Sequence, residues 1–221
     1  MPRLPIVLVG LGCVFVLAAA VNLAAQNPPA QNPPAQNPQT PAQPGGQRGG
    51  GGGRGRGNVP VMTLTTAAWV DGGVIPVRYS QAGEEHSPPI SWGDVPATAK
   101  SFVLMARDMD ATNNNGTGDL LQWLVWNIPG DSRALPEGLP QGPQLPNGTR
   151  QISATGPYYR GPAAPANGPA HHYVFELYAL DTMLDVAPVG ASPADTRTAI
   201  ATAMAGHVVG RATLVGRFKR Q

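Results

Sequence analysis

Residues 59–221 predict a mainly β fold, an antiparallel sandwich with long loops and one short helix near the C-terminus. Three observations carry this expectation. Short apolar or alternating runs are separated by Gly, Pro, Asn and Asp. Those runs are rich in β-branched and aromatic residues, and helix-length periodic segments are scarce.

In chain order, the first element is not part of that sandwich. Met1 to Ala25 combine Arg3 with an almost unbroken apolar run from Leu4, closing on Leu23-Ala24-Ala25. A basic start, an apolar middle and a small-residue exit fit a secretory signal cleaved near Ala25. The run is also long enough to span a bilayer, so an uncleaved anchor is the alternative. Cys13 lies inside the run and reads as apolar filling. The exported part then has no cysteine, and its own core must hold it together. Residues 26–58 are low complexity. Asn-Pro-Pro-Ala-Gln recurs from Asn27 and Asn32, and a Gly-rich tract with Arg48, Arg54 and Arg56 follows. The first half favours extended polyproline backbone and the second flexible coil, which together make a tether. The Arg-Gly tract resembles RNA-binding segments, but export removes that partner.

Strands are expected at Val61–Trp69, Ile75–Tyr79, Ser101–Arg107, Leu121–Ile128, His172–Leu180 and Val208–Phe218. The helix follows Ser192, its N-cap, with Pro193 in the first turn and Asp195 three residues after the cap. Ala199, Ile200, Ala203 and Met204 give it a weak apolar face, and Gly206 ends it.

Charge supports this division. The chain carries 15 Lys and Arg against 13 Asp and Glu. Arg3, Arg48, Arg54 and Arg56 precede residue 58, whereas every acidic residue follows it, so the folded part is −2 (11 − 13) rather than +2. A mildly acidic domain argues against general nucleic-acid binding. Any anion must then be held by local hydrogen-bond donors.

Two segments offer such donors. Asp108 and Asp110 close the apolar run from Ser101, and His171 and Tyr173 open the run that ends at Leu180. Alternation along a strand sends His171 and Tyr173 to one face with Phe175, and His172 to the other. A His donor, a Tyr hydroxyl and the backbone amides at Gly161-Pro162 can hold the oxygens of a phosphate or carboxylate, with an Asp fixing the imidazole tautomer. The plainer alternative is that Asp108 and Asp110 cap a turn and His171 is an edge histidine. The four tryptophans, Trp69, Trp92, Trp123 and Trp126, are expected in the core or at the pocket rim.

Ordered motifs then bear on the choice. They are Asp71-Gly72-Gly73-Val74-Ile75-Pro76, Ser87-Pro88-Pro89-Ile90-Ser91-Trp92, Asp108-Met109-Asp110-Ala111, Trp123 leading into Val125-Trp126-Asn127-Ile128-Pro129, Tyr159-Arg160-Gly161-Pro162, His171-His172-Tyr173-Val174-Phe175, and Gly206-His207-Val208. With these the chain resembles the phosphatidylethanolamine-binding protein family, in its bacterial Raf-kinase-inhibitor-like (YbhB/YbcL) branch, over the whole folded part. The resemblance implies a Greek-key β-sandwich with a small pocket for phosphate-like anions and phospholipid head groups. Carried over by position, the ligand-binding residues are Asp108, Asp110, Gly161, Pro162, His171 and Tyr173. Gln122 stands where the family pattern has histidine, and Met109 and Thr112 where it has proline. Gln122 can donate and accept but carries no charge, which implies weaker, less pH-dependent anion binding or a shifted ligand preference.

The leading expectation is therefore a non-catalytic binding protein with no cofactor, taking a small anionic ligand or a phospholipid head group. An inhibitor of a kinase or protease, of unnamed target, is the second reading. A metal-dependent or acid/base hydrolase is the third, and it lacks both a nucleophile in a recognisable setting and zinc-type spacing. Neither nucleic acid nor a particular oligomeric state is implied. Residues 4–25 offer a membrane tether.

Overall fold

The computed structural model describes residues 59–187 and 192–221. The expected signal or anchor over residues 1–25 and the linker over residues 26–58 lie outside the described residues. The described part forms nine strands and one α-helix: β1 (Thr63–Thr65), β2 (Gly73–Val74), β3 (Ile90–Gly93), β4 (Ser101–Asn113), β5 (Gly118–Pro129), β6 (Ala134–Leu135), β7 (Arg150–Ile152), β8 (His171–Leu180), α1 (Pro193–Met204) and β9 (Val208–Phe218). Six strands make one sheet in the order β2-β9-β8-β4-β5-β7, and three make a smaller one, β1-β3-β6. Every pairing is antiparallel except that of β2 with β9.

The large sheet is apolar on both faces, which is why β4 and β5 read as near-continuous apolar runs. One face packs on the small sheet through Leu104, Trp123, Val125, Phe175 and Leu177 against Leu64, Ile90 and Trp92. The other packs under α1 through Val103, Met105, Leu124 and Trp126 against Ile200 and Met204. Two-sided burial of this kind yields a run without alternation. All four tryptophans are buried.

Two elements differ from the sequence reading for local reasons. The run from Val61 pairs only over Thr63–Thr65, because the Thr66 hydroxyl donates to Pro89 O at 2.6 Å and accepts from Ala68 N, turning the chain. The run from Ile75 becomes the short strand Gly73–Val74 followed by a single 3-10 turn, Val77–Tyr79. Pro76 presets its own φ and its carbonyl accepts Tyr79 N at 3.0 Å, so the turn closes where a strand was expected. Helix α1 begins as read: the Ser192 hydroxyl accepts Asp195 N at 3.1 Å. Its buried face is Thr196, Ile200 and Met204, spaced four residues apart, so Ile200 and Met204 of the expected face are buried and Thr196 joins them.

Opposite faces of one strand carry the two polar clusters. Arg107, on the helix side of β4, joins Asp119 of β5 at 2.8 Å and also pairs with Glu176 of β8. Asp119 additionally pairs with Arg197 of α1, and Glu176 with Arg211 of β9 at 3.5 Å. Four strands and the helix are thus tied through one ionic network. Asp108, the next residue, points the other way.

Candidate functional site

Asp108 lies opposite Tyr173 in the antiparallel pairing of β4 with β8. Both face the core, and His171, two residues before Tyr173, sits diagonally across from Asp108 on that face. The burial of β8 alternates as a strand with one core face requires: Tyr173, Phe175, Leu177 and Ala179 are buried, whereas His172 is exposed. His171 Nδ1 lies 3.1 and 3.0 Å from the two oxygens of Asp108. The Asp108 carboxylate is only 4% exposed and also accepts Asp110 N at 3.0 Å and Ala111 N at 3.1 Å. Two backbone amides hold this carboxylate in place as an acceptor, so Nδ1 is the ring nitrogen that donates to it and Nε2 makes no bond to Asp108. The neutral ring then offers an acceptor at Nε2, and the imidazolium offers a donor.

Asp110 does not share the face of Asp108, where strict alternation along a strand would put it. Because Asp108 captures the amides of Asp110 and Ala111, the chain curls around the first carboxylate and regular pairing with β8 ends there. The Asp110 carboxylate turns to His172 instead, accepting its backbone N–H at 2.6 Å and facing Nδ1 at 2.9 Å. The two aspartates therefore serve two different histidines. The backbone N–H of His172, followed by its ring, holds the Asp110 carboxyl below the usual range against a smaller effect of burial.

Tyr173 is buried, and its hydroxyl accepts Ala163 N at 3.2 Å and Ala164 N at 3.3 Å. Burial first, and the Asp108 charge second, push this phenol well above its ordinary value, so it stays protonated. Its ring stacks beside that of His171, centroids 6.5 Å apart.

The loop Tyr159-Arg160-Gly161-Pro162 leads into the two amides that Tyr173 accepts, and it is held from three directions. Gln81 donates to Gly161 O through Nε2 at 2.8 Å and to Pro162 O through its backbone N–H at 3.0 Å. Tyr159 donates to Tyr79 O at 2.9 Å. Gln122, 2% exposed, accepts Arg160 N at its backbone carbonyl. With its amide oriented by the surrounding network, its side-chain nitrogen donates to Arg160 O at 2.8 Å and Gly161 O at 3.3 Å. Gln122 is thus a strut for the loop.

The expected anion donor at Gly161 has a protein partner: its N–H donates to Glu85 Oε1 at 3.0 Å. Pro162 is buried beside it and offers no N–H. The amides of Arg160 and Gly161, and those of Ala163 and Ala164 after them, are therefore committed to Gln122, Glu85 and Tyr173. Glu85 and Gln81 escaped the sequence reading. Their polar loop, Gln81 to His86, carries no motif, and Glu85 holds a left-handed backbone (φ 55°) that only the fold shows. Among the described residues no group of three His, Cys, Asp or Glu is arranged to hold a metal ion.

A family model described as phosphatidylethanolamine-binding protein matches residues 65–219. A UPF0098 protein of Methanothermobacter thermautotrophicus is 45% identical over 161 residues, which are 72% of this chain and 99% of that one. The UPF0098 protein YbhB of Escherichia coli is 39% identical over 121 residues, 50% of this chain and 73% of that one. Among solved structures, CT736 of Chlamydia trachomatis, described as a homolog of phosphatidylethanolamine-binding protein, superposes with a TM-score of 0.60 at 32% identity. The match covers 73% of this chain and 99% of that one. The motifs quoted from the sequence thus identify both the family and its YbhB/YbcL branch.

Proposed function

Because the chain belongs to the phosphatidylethanolamine-binding protein family, we propose that it is a non-catalytic binding protein whose His171 takes the oxyanion of a small ligand, a phosphate-like group or a phospholipid head group. The observation that carries this is the His171–Asp108 pair: Nδ1 is fixed by a buried carboxylate at 3.0 Å, which orients Nε2 outward. Tyr173 backs the imidazole, Gln122 and Gly161-Pro162 form the wall, and Asp110 with His172 lies at the rim. Gln122 adds no charge to that wall, so the outer ring nitrogen of His171 is the group that meets an anion there. The apolar run of residues 4–25 and the linker of residues 26–58 support a setting outside the cytoplasm, with the domain standing off a membrane or released after cleavage.

The test is a titration with inorganic phosphate, acetate and phosphoethanolamine, following the histidine ring nitrogens by NMR. Saturable shifts at His171 Nε2 are expected. His171→Ala should weaken binding by about ten- to a hundredfold, the range of a hydrogen bond to a charged group. His172→Ala should leave it unchanged. Shifts that appear only at His172, or none at any ring, would remove the proposed site.

A further inference from the structure

The free edge of the large sheet carries a surface that the anion site does not explain. Beyond β9 the sheet is flanked by two short pieces of chain. Residues 60–62 bridge to Arg211, with Arg211 N donating to Pro60 O at 3.0 Å and Met62 N to Arg211 O at 2.8 Å. Farther along, β2 pairs Val74 with Arg217. This edge exposes Val61, Val70, Val74 and Val77, at 82, 78, 68 and 58%. They are four of the six large apolar side chains exposed among the described residues, so the apolar surface is concentrated here.

The same edge is basic. Arg211, Arg217, Lys219 and Arg220 fall within ten residues, and no acidic residue follows Asp195. Arg217 leans over β2, donating to Gly72 O at 2.8 Å, and Arg211 pairs with Glu176. Lys219 and Arg220 are exposed and form no ion pair among the described residues. The acids that meet this edge are engaged: Asp71 accepts Val215 N, and Glu176 pairs with both Arg107 and Arg211. In a folded part of net charge −2, four of eleven cations on one edge make the domain strongly polarised.

Residue 59, the first described residue, leads directly into the bridge to Arg211. No acid precedes Asp71 in the whole chain, and Arg48, Arg54 and Arg56 lie immediately upstream. The apolar run of residues 4–25 lies only 33 residues (26–58) away, roughly 110 Å of contour at full extension.

We propose that the β9 edge is a docking surface for an anionic lipid bilayer, with Lys219 and Arg220 at the phosphates and Val70, Val74 and Val77 entering the interface. Cations beside aliphatic side chains, with an all-basic approach, match the two layers of such a surface: charge outside, hydrocarbon within. A protein partner would call instead for aromatic anchors, and none of the exposed large apolar side chains is aromatic.

The test uses residues 59–221. Matches to about three quarters of this chain cover 99% of a relative and 99% of a solved structure, which is why the segment is cut here. Flotation with vesicles of phosphatidylcholine alone is compared with flotation on equal parts phosphatidylcholine and phosphatidylglycerol. Binding is expected only to the mixed vesicles, and it should weaken as salt rises. Changing Lys219→Glu together with Arg220→Glu should cost at least twenty-five-fold, at about fivefold per cation removed. Val74→Asp should also weaken binding, while melting temperatures stay unchanged because all three positions are exposed. Lys100→Glu, an exposed cation away from this edge, should have little effect. Free phosphoethanolamine, added at a concentration that saturates the histidine shifts, should leave flotation unchanged, which separates this surface from the anion site. The proposal is overturned by equal binding to both vesicles, by a loss with Lys100→Glu as large as with the edge variants, or by release of the segment from mixed vesicles when phosphoethanolamine is added. It is equally overturned if the segment dimerises without lipid and Val74→Asp dissolves the dimer.

Discussion

Asp119→Ala is expected to lower the melting temperature by about 5–10 °C, the larger of the effects reachable by removing one charge. Asp119 receives Arg107 of β4 and Arg197 of α1, and its side chain is 13% exposed. Breaking a fully buried pair costs about 3–5 kcal/mol, because the partner charge is left without compensation. Here Arg107 keeps Glu176 and Arg197 is 31% exposed, so about 2–3 kcal/mol is the proportionate figure. At about 2–4 °C per kcal/mol for a domain of this size, the shift is readily resolved. Burial opposes the charged form of Asp119, but the hydrogen bonds and charges of Arg197 and Arg107 outweigh it and hold the carboxyl below its ordinary range. A depressed carboxyl contributes stability that is fully present above about pH 4, the unfolded value, and lost as pH falls through the folded one. The gap between parent and Asp119→Asn should therefore be constant at neutral pH and close only in strong acid. A gap that instead closed towards alkaline pH would mean that the network acts through some other group.

This network also explains why the site was only partly legible from the sequence. The alternation from His171 to Phe175 is a property of one strand, and it placed His171 and Tyr173 correctly on the core face. The motifs carried the family and the fold with them. What the sequence could not carry was competition for backbone amides. Asp108 takes the N–H groups of Asp110 and Ala111, and that local capture sends Asp110 to His172. Likewise Gly161 is separated by 76 residues from the carboxylate that takes its N–H, and no periodicity links them. Arg107, Asp119, Glu176 and Arg197 are far apart in the chain, and no periodicity links them before α1 folds over the sheet. The short strands β3, β6 and β7 were missed because two to four residues hold too few periods to register.

Gly161→Ala is the second large effect, and it tests whether the loop is rigid because the site needs it so. A Cβ built on Gly161 would lie 2.6 Å from Tyr79 O and 2.9 Å from Ser80 C and Cα. These are backbone atoms of a turn fixed by its own hydrogen bonds, so they cannot swing aside as a side chain would. The loop must move instead, and it then stretches the bonds from Gly161 N to Glu85, from Gln81 to Gly161 O and from Gln122 to the same carbonyl. Overpacking alone costs about 1–3 kcal/mol. Each weakened hydrogen bond adds up to about 1 kcal/mol, so a total near 3 kcal/mol and a melting point lower by about 6–12 °C are expected. Gly168 in the same loop region is the control, because its Cβ would meet nothing closer than Pro165 Cγ at 3.8 Å. Gly168→Ala should change stability by no more than about 0.5 kcal/mol. Displacing Gly161 also draws Ala163 and Ala164 away from the Tyr173 hydroxyl, which frees the ring that backs His171. Phosphate affinity should then fall in Gly161→Ala even at temperatures where it remains folded. If the two alanine variants melt together, the close approach at Tyr79 is not what holds this loop, and the wall assigned to the anion site must be sought elsewhere.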